Sequence, residues 1–178
     1  MRFRSPNKII LEVDLTQDCN YAHNGDCYIA RTLKEKYDNI RANVGPYDLI
    51  IYHNGKRYDY NIVSNNGWNE CLDPTFGSMP VVLVRKDKEI DGLTKRFRNQ
   101  RYIVVEVDTT DFSTDVYEDG YNCYIASAVK KLQRVKTVKT GPFECTINDV
   151  EYRMLGSGGR YRVMRIIEGK YAVVLEKI

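Results

Sequence analysis

Apolar and polar side chains alternate from Ile9 to Leu15, with Ile9, Leu11, Val13 and Leu15 on one side of an extended chain and Glu12 and Asp14 on the other. A period of two predicts a half-buried β-strand. The pattern returns in Ile103, Val105 and Val107, set against Glu106 and Asp108. Beyond each strand and a polar loop the period lengthens to that of a helix, through Ile29 and Leu33 and again through Ile125, Val129 and Leu132. Helices are predicted from Cys27 to about Tyr37 and from Cys123 to about Arg134, with Asp26 and Asn122 as N-caps.

Each helix is followed by a short strand ending at Gly45-Pro46 or Gly141-Pro142, and then by a hairpin. The turns are Asn54-Gly55 and Asn148-Asp149, residue types that accept the positive φ angles of a two-residue type I′ turn. The inward faces read Tyr47, Leu49 and Ile51 with Tyr58, Tyr60 and Ile62. In the second hairpin they read Phe143, Cys145 and Ile147 with Tyr152 and Met154. A last hairpin, Tyr161 to Ile167 and Lys170 to Glu176, turns at Glu168-Gly169. Its earlier counterpart is interrupted by Trp68, Cys71, Pro74 and Phe76.

These elements recur in one order because the chain is a tandem duplication. Glu12-Val13-Asp14 returns after 94 residues as Glu106-Val107-Asp108, and Cys27-Tyr28-Ile29-Ala30 after 96 as Cys123-Tyr124-Ile125-Ala126. Gly45-Pro46 returns after 96, Asn54 and Tyr58 match Asn148 and Tyr152 after 94, and Val81-Val82-Leu83 returns after 92 as Val173-Val174-Leu175. A period near 95 is too long for a solenoid, so each copy is expected to hold its own core. The expected fold class is α+β, a small antiparallel sheet with one packed helix per copy. The expected boundaries are residues 1–85, a charged linker at 86–101, and residues 102–178.

Composition narrows the functional classes. The 178 residues carry a net charge of +3, too small for a histone-like field or an acidic tail. The longest apolar runs, such as Met79 to Val84, are far shorter than the roughly 20 residues that span a bilayer, and Ile9-Ile10-Leu11 is too brief for the core of a signal peptide. No membrane association and no secretion by a signal peptide are therefore expected. Five cysteines, Cys19, Cys27, Cys71, Cys123 and Cys145, contain no C-x-x-C pair and fit a reducing compartment.

Catalytic chemistry has little to build on. His23 and His53 have no counterparts in the second copy, and no base accompanies Cys123. Cys27 and Cys123 stand in the first turn of their helices, where thiols can be activated, but small apolar side chains pack there equally well. Cys19, His23 and Cys27, with Cys71 or His53, lack the spacing of a zinc finger or ribbon. The carboxylates Glu12 and Asp14, Glu106 and Asp108, and Asp111, Asp115, Glu118 and Asp119 lack a calcium-loop register. Gly156-Ser157-Gly158-Gly159 precedes a strand rather than the helix of a phosphate loop. No cofactor, no metal and no enzymatic activity are expected.

Two surfaces remain. Ile50 and Tyr52 occupy the outward face of a hairpin strand where the second copy has Glu144 and Thr146, and with Trp68 and Phe76 they form a candidate protein interface. Residues 95–178 hold 15 basic and 11 acidic side chains, against 12 and 13 in residues 1–94. Lys130, Lys131, Arg134, Lys136 and Lys139 lie within an acid-free stretch. With Arg160, Arg162, Arg165 and the neighbouring Tyr161 they form a candidate nucleic-acid surface.

Asp26-Cys27-Tyr28-Ile29-Ala30, after an alternating strand and before Val44-Gly45, resembles a group of short uncharacterised bacteriophage and bacterial proteins. These read strand, loop, D-C-P-[IL]-A, helix, V-x-V-G. Tyr28 and Tyr124 stand in place of the proline, Asn122 in place of the aspartate, and here the unit is doubled. The resemblance implies a phage or mobile-element setting, hence a host-cytoplasmic or virion location, and no activity. The expected function is a non-enzymatic interaction or structural protein, a virion component or host-protein inhibitor, that binds a protein partner or self-assembles. The alternative is a nucleic-acid-binding module built on the second copy.

Overall fold

A computed structural model describes residues 1–14, 28–45, 48–63, 78–88, 92–108, 123–155 and 170–178. The chain divides into two compact units, Met1–Gly92 and Leu93–Ile178. In the first, β1 (Lys8–Asp14), α1 (Tyr28–Lys36), β2 (Ile40–Val44), β3 (Asp48–His53), β4 (Lys56–Ile62) and β5 (Ser78–Arg85) follow in order. In the second, β6 (Tyr102–Asp108), α2 (Tyr124–Lys130), β7 (Val138–Thr140), β8 (Glu144–Ile147), β9 (Val150–Leu155) and β10 (Lys170–Lys177) repeat the sequence. Both sheets are five-stranded and antiparallel, ordered β1-β5-β4-β3-β2 and β6-β10-β9-β8-β7. The expected α+β tandem duplication is therefore what the chain forms. Among the described residues no helix is long and apolar enough to cross a membrane.

Each helix packs against the two outermost strands of its own sheet, α1 on β1 and β2, α2 on β6 and β7. A flat sheet could not present both edges to one short helix, so each sheet curls around its core and the helix bridges the gap. Ile29, Ala30 and Leu33 on α1 and Ile125, Ala126 and Val129 on α2 are at most 1% exposed. Ile9, Leu11 and Val13 of β1 and Leu49, Ile51, Tyr60 and Ile62 of the hairpin meet them from the sheet. Burying such side chains fully contributes about 1.5–3 kcal/mol each.

The half-buried reading of the first strands needs amendment. Ile10, Val82 and Val84, on the opposite face, are buried as well, as are Val104 and Val174 in the second unit. In the first unit the chain passes over that face at Gly92, where a Cβ would lie 2.4 Å from Val63 Cγ2 and 3.1 Å from Val84 Cγ2. In the second, Thr94 caps the free edge of β6. Its amide donates to Val104 O at 2.7 Å, and Val104 N donates to Thr94 Oγ1 at 2.9 Å.

Helix ends also differ from expectation. α2 begins at Tyr124 with Cys123, not Asn122, as its N-cap, the thiol accepting from Ala126 N at 3.4 Å. It ends at Lys130, where the bonding passes from helix to i→i−3 turns through Lys131 and Leu132, and the chain then reverses at Arg134 with φ 69°, as it does at Asn39 after α1 with φ 56°. The hairpin turns match the type I′ reading, with φ 50° and 72° at Asn54 and Gly55 and 46° and 63° at Asn148 and Asp149. Phe143, expected to face inward, is 61% exposed. It precedes β8, and its carbonyl accepts from Met154 N at 2.8 Å, which holds its backbone at the sheet while its ring stays outside. Residues 161–167 and the interrupted segment around Trp68 lie outside the described residues.

The drift in repeat spacing from 96 to 94 to 92 has one cause among the described elements. Gly45 N and Gly141 N donate to Asp48 O and Glu144 O, fixing equivalent starts for the two hairpins. β3 then runs six residues to its turn and β8 only four, and the return strand reaches Tyr60 five residues beyond Gly55 but Tyr152 three beyond Asp149. Tyr152 therefore corresponds to Tyr60 rather than to Tyr58, both being fully buried and paired to equivalent positions of β10 and β5.

Residues 93–101 are not linker. Phe97 is 8% exposed, and this stretch forms an arm that repeats the one before β1, Arg2-Phe3-Arg4 returning as Arg96-Phe97-Arg98 after 94 residues. Arg2 bridges to Asp38 and Arg96 to Gln133, just past each helix. Ser5 and Asn99 both take positive φ, 45° and 55°, bending each arm toward its sheet. There Tyr60 donates its hydroxyl to Pro6 O at 2.8 Å and Tyr152 to Gln100 O at 3.2 Å. Burial raises the pKa of both phenols, so both remain donors. Replacing Tyr60 or Tyr152 by Phe is expected to cost about 1 kcal/mol in urea denaturation. It should also speed amide exchange at Arg85 or Lys177, which donate to the next arm carbonyl, Asn7 O or Arg101 O.

Candidate nucleic-acid interface

The basic stretch of the second unit occupies the end of α2 and the loop into β7. Lys130 closes the helix, Lys131 is its C-cap, Arg134 and Lys136 are exposed on the loop, and Lys139 points outward from β7 between buried Val138 and Thr140. The loop is held from two sides. Asn148 Oδ1 accepts from Lys136 N at 2.7 Å and Thr137 N at 3.1 Å, while Asn148 Nδ2 donates to Arg134 O at 2.8 Å. Opposite, Gln133 N donates to Lys95 O at 3.1 Å and Phe97 N donates to Gln133 O at 2.9 Å.

That second set of bonds adds cations the sequence reading assigned to a linker. It lays Lys95, Arg96 and Arg98 beside the loop, on the same backbone seam as Arg134. Arg96 Nε is buried with no hydrogen-bond partner among the described residues. The signal was present in the sequence, since Arg-Phe-Arg recurs at the same 94-residue spacing as Glu-Val-Asp.

Ion pairing separates two kinds of basic residue here. Arg153 donates to Glu176 through Nε at 2.9 Å and through Nη2, and Arg101 Nη2 reaches the same carboxylate at 3.2 Å. Burial pushes the Glu176 carboxyl up, but hydrogen bonds from Arg153, Tyr102 and Arg101 outweigh it and hold the group below its ordinary value. No described carboxylate forms an ion pair with Lys131, Arg134, Lys136, Lys139, Arg96 or Arg98. Arg160, Tyr161, Arg162 and Arg165 lie outside the described residues.

The candidate protein interface is less coherent. Ile50 and Tyr52 share a face of β3 and are half-buried, but the register places Asn43 and Asp59 beside Ile50, and Arg41 and Arg57 beside Tyr52. Arg57 pairs with Asp59 at 2.7 Å, so the two apolar side chains stand within a polar row. Trp68 and Phe76 lie outside the described residues.

The cysteines resolve in part. Cys123 is fully buried, and its Sγ lies 2.7 Å from Thr140 Oγ1. Cys145 is 1% exposed, its thiol pushed up to about 12 by burial and by nearby Cys123. Both thiols are packed in the core of the second unit. Among the described residues no three His, Cys, Asp or Glu side chains gather as a metal site. Cys19, His23, Cys27, Cys71 and the Gly156–Gly159 turn lie outside the described residues. His53 stands at the tip of the first hairpin, its ring centroid 5.4 Å from that of Phe3.

Asn148→Gly retains the positive-φ freedom of the turn but removes the clamp. It is expected to cost about 1.5 kcal/mol and to raise hydrogen exchange at the Lys136 and Thr137 amides. Because the folded pKa of Glu176 is depressed, its contribution is present above the ordinary value of 4.5 and is lost as pH falls through the folded value. Glu176→Gln should therefore flatten the acid limb of the stability profile and cost about 1 kcal/mol at neutral pH, both arginines being solvent-screened. Compared with protein-family models, with curated protein sequences and with solved structures, the chain matches none.

Proposed function

We propose that this chain is a nucleic-acid-binding protein whose second unit tracks a phosphate backbone. The observation that carries this reading is the seam at Gln133, where two backbone hydrogen bonds set the Arg96-Phe97-Arg98 arm against the Lys131–Lys136 loop. Six cations there, Lys131, Arg134, Lys136, Lys139, Arg96 and Arg98, pair with no described carboxylate. Unpaired cations on a fixed backbone neutralise phosphates and release counterions, which supplies affinity without sequence information. Glu176 supports the same reading, since it engages Arg153 and Arg101 and none of these six. A protein-interaction role on Ile50 and Tyr52, in a virion or against a host protein, has weaker support because their row is polar and internally paired.

The test is binding of the full chain to random single- and double-stranded DNA and RNA across a salt series. Affinity should fall steeply with salt. Lys131→Gln with Arg134→Gln should lower the slope on duplex DNA by about 2, alike for all sequences. An absence of binding at low salt would remove the reading.

A further inference from the structure

Counted from the paired positions Leu49–Tyr60 and Cys145–Tyr152 to the turn, the first hairpin exceeds the second by two residues on each side, and its tip extends beside the Arg2–Asn7 arm. Between tip and arm lies a cavity of about 430 Å³, within the size range of small-molecule sites. Its base is Phe3, 3% exposed. The Phe3 ring meets those of His53 and Tyr58 edge-on, each at a centroid distance of 5.4 Å, and that of Tyr37 at 5.3 Å. Edge-to-face packing fixes the orientation of the half-buried His53 and Tyr58 rings in the cavity wall.

The remainder of the lining is Ser5, Asn54 and three cations. Arg2, Arg4 and Lys56 are exposed, none forms an ion pair with a described carboxylate, and no acidic residue lines the cavity. Neighbouring cations differ: Arg57 is paired with Asp59, Arg85 with Asp87, and Lys86 with Asp48. The second unit keeps the arm but not this chemistry, because Ile147 and Val150 flank its turn where His53 and Lys56 flank the first.

Three unpaired cations beside two fixed rings offer a phosphate dianion its charge and a planar heterocycle its stacking surface. We infer that this cavity is a mononucleotide site, the phosphate resting on Arg2, Arg4 and Lys56 and the base against His53 and Tyr58. The site belongs to the first unit and does not draw on the basic loop of the second.

The test uses the full chain and the ring signals of His53 in proton–carbon NMR, assigned by their loss in His53→Gln. Adenosine monophosphate, adenosine and inorganic phosphate are titrated separately. A saturable His53 shift is expected with the mononucleotide, at an affinity at least about tenfold above that for phosphate or nucleoside alone. Arg4→Gln with Lys56→Gln, both solvent-exposed positions, should weaken it about tenfold or more with the rest of the spectrum unchanged. Lys131→Gln with Arg134→Gln should leave it intact. No saturable shift at millimolar mononucleotide would overturn the proposal. So would equal affinity for inorganic phosphate, or a loss that follows the Lys131 and Arg134 changes instead.

Discussion

A buried tyrosine hydroxyl bonded to a carbonyl of the preceding arm organises each unit. Tyr60 and Tyr152 rise from the return strand of the hairpin through the core, and each meets the arm just beyond its positive-φ bend. A phenol this deeply buried needs an acceptor, and the arm supplies one that the sheet ladder cannot. With the arm held there, its phenylalanine enters the core and the flanking arginines reach toward the surface, Arg96 only in part, since its Nε stays buried. The placement of Arg2 and Arg4, and of Arg96 and Arg98, thus follows from a neutral hydrogen bond several residues away.

The polar groups around the second unit sort its positive charge in a comparable manner. Glu176 gathers two guanidinium groups at the sheet, and Asn148 gathers the backbone of the basic loop without touching its charges. Cys123, Thr140 and Cys145 tie the start of α2 to the strands beneath it. Helix, loop and arm are consequently joined through one set of backbone hydrogen bonds and buried contacts.

Much of this was legible from pattern alone. The alternation in Ile9 to Val13 and Ile103 to Val107, the Asn-Gly and Asn-Asp turns, and the repeat itself each report a local rule that the fold obeys. What escaped was non-local. Charge density at Lys86 to Arg101 reads as a solvated connection, yet a single phenylalanine buried there outweighs its neighbours, because lysine and arginine keep their heads in water whichever way the backbone runs. Phe143 misled in the opposite sense, since alternation cannot show that a residue stands one position before its strand begins. Pairing Tyr152 with Tyr58 failed because sequence spacing cannot distinguish a longer loop from a longer hairpin. Of the candidate basic residues, those in the loop could be found from composition, whereas their partnership with the arm depends on two backbone hydrogen bonds at Gln133.

The unequal hairpins carry a consequence for how such a unit can vary. A strand's side chains change face at every residue, so lengthening both arms of a hairpin by one would turn the turn-proximal side chains inside out. Lengthening both by two leaves every inward position inward. Leu49 and Ile51 overlie Cys145 and Ile147, Tyr60 overlies Tyr152, and the surplus appears only at the tip. The pleat therefore acts as a ratchet with a two-residue tooth: the core is blind to each full step, and the reach of the tip, with whatever chemistry it carries, is free to differ between copies of the same scaffold.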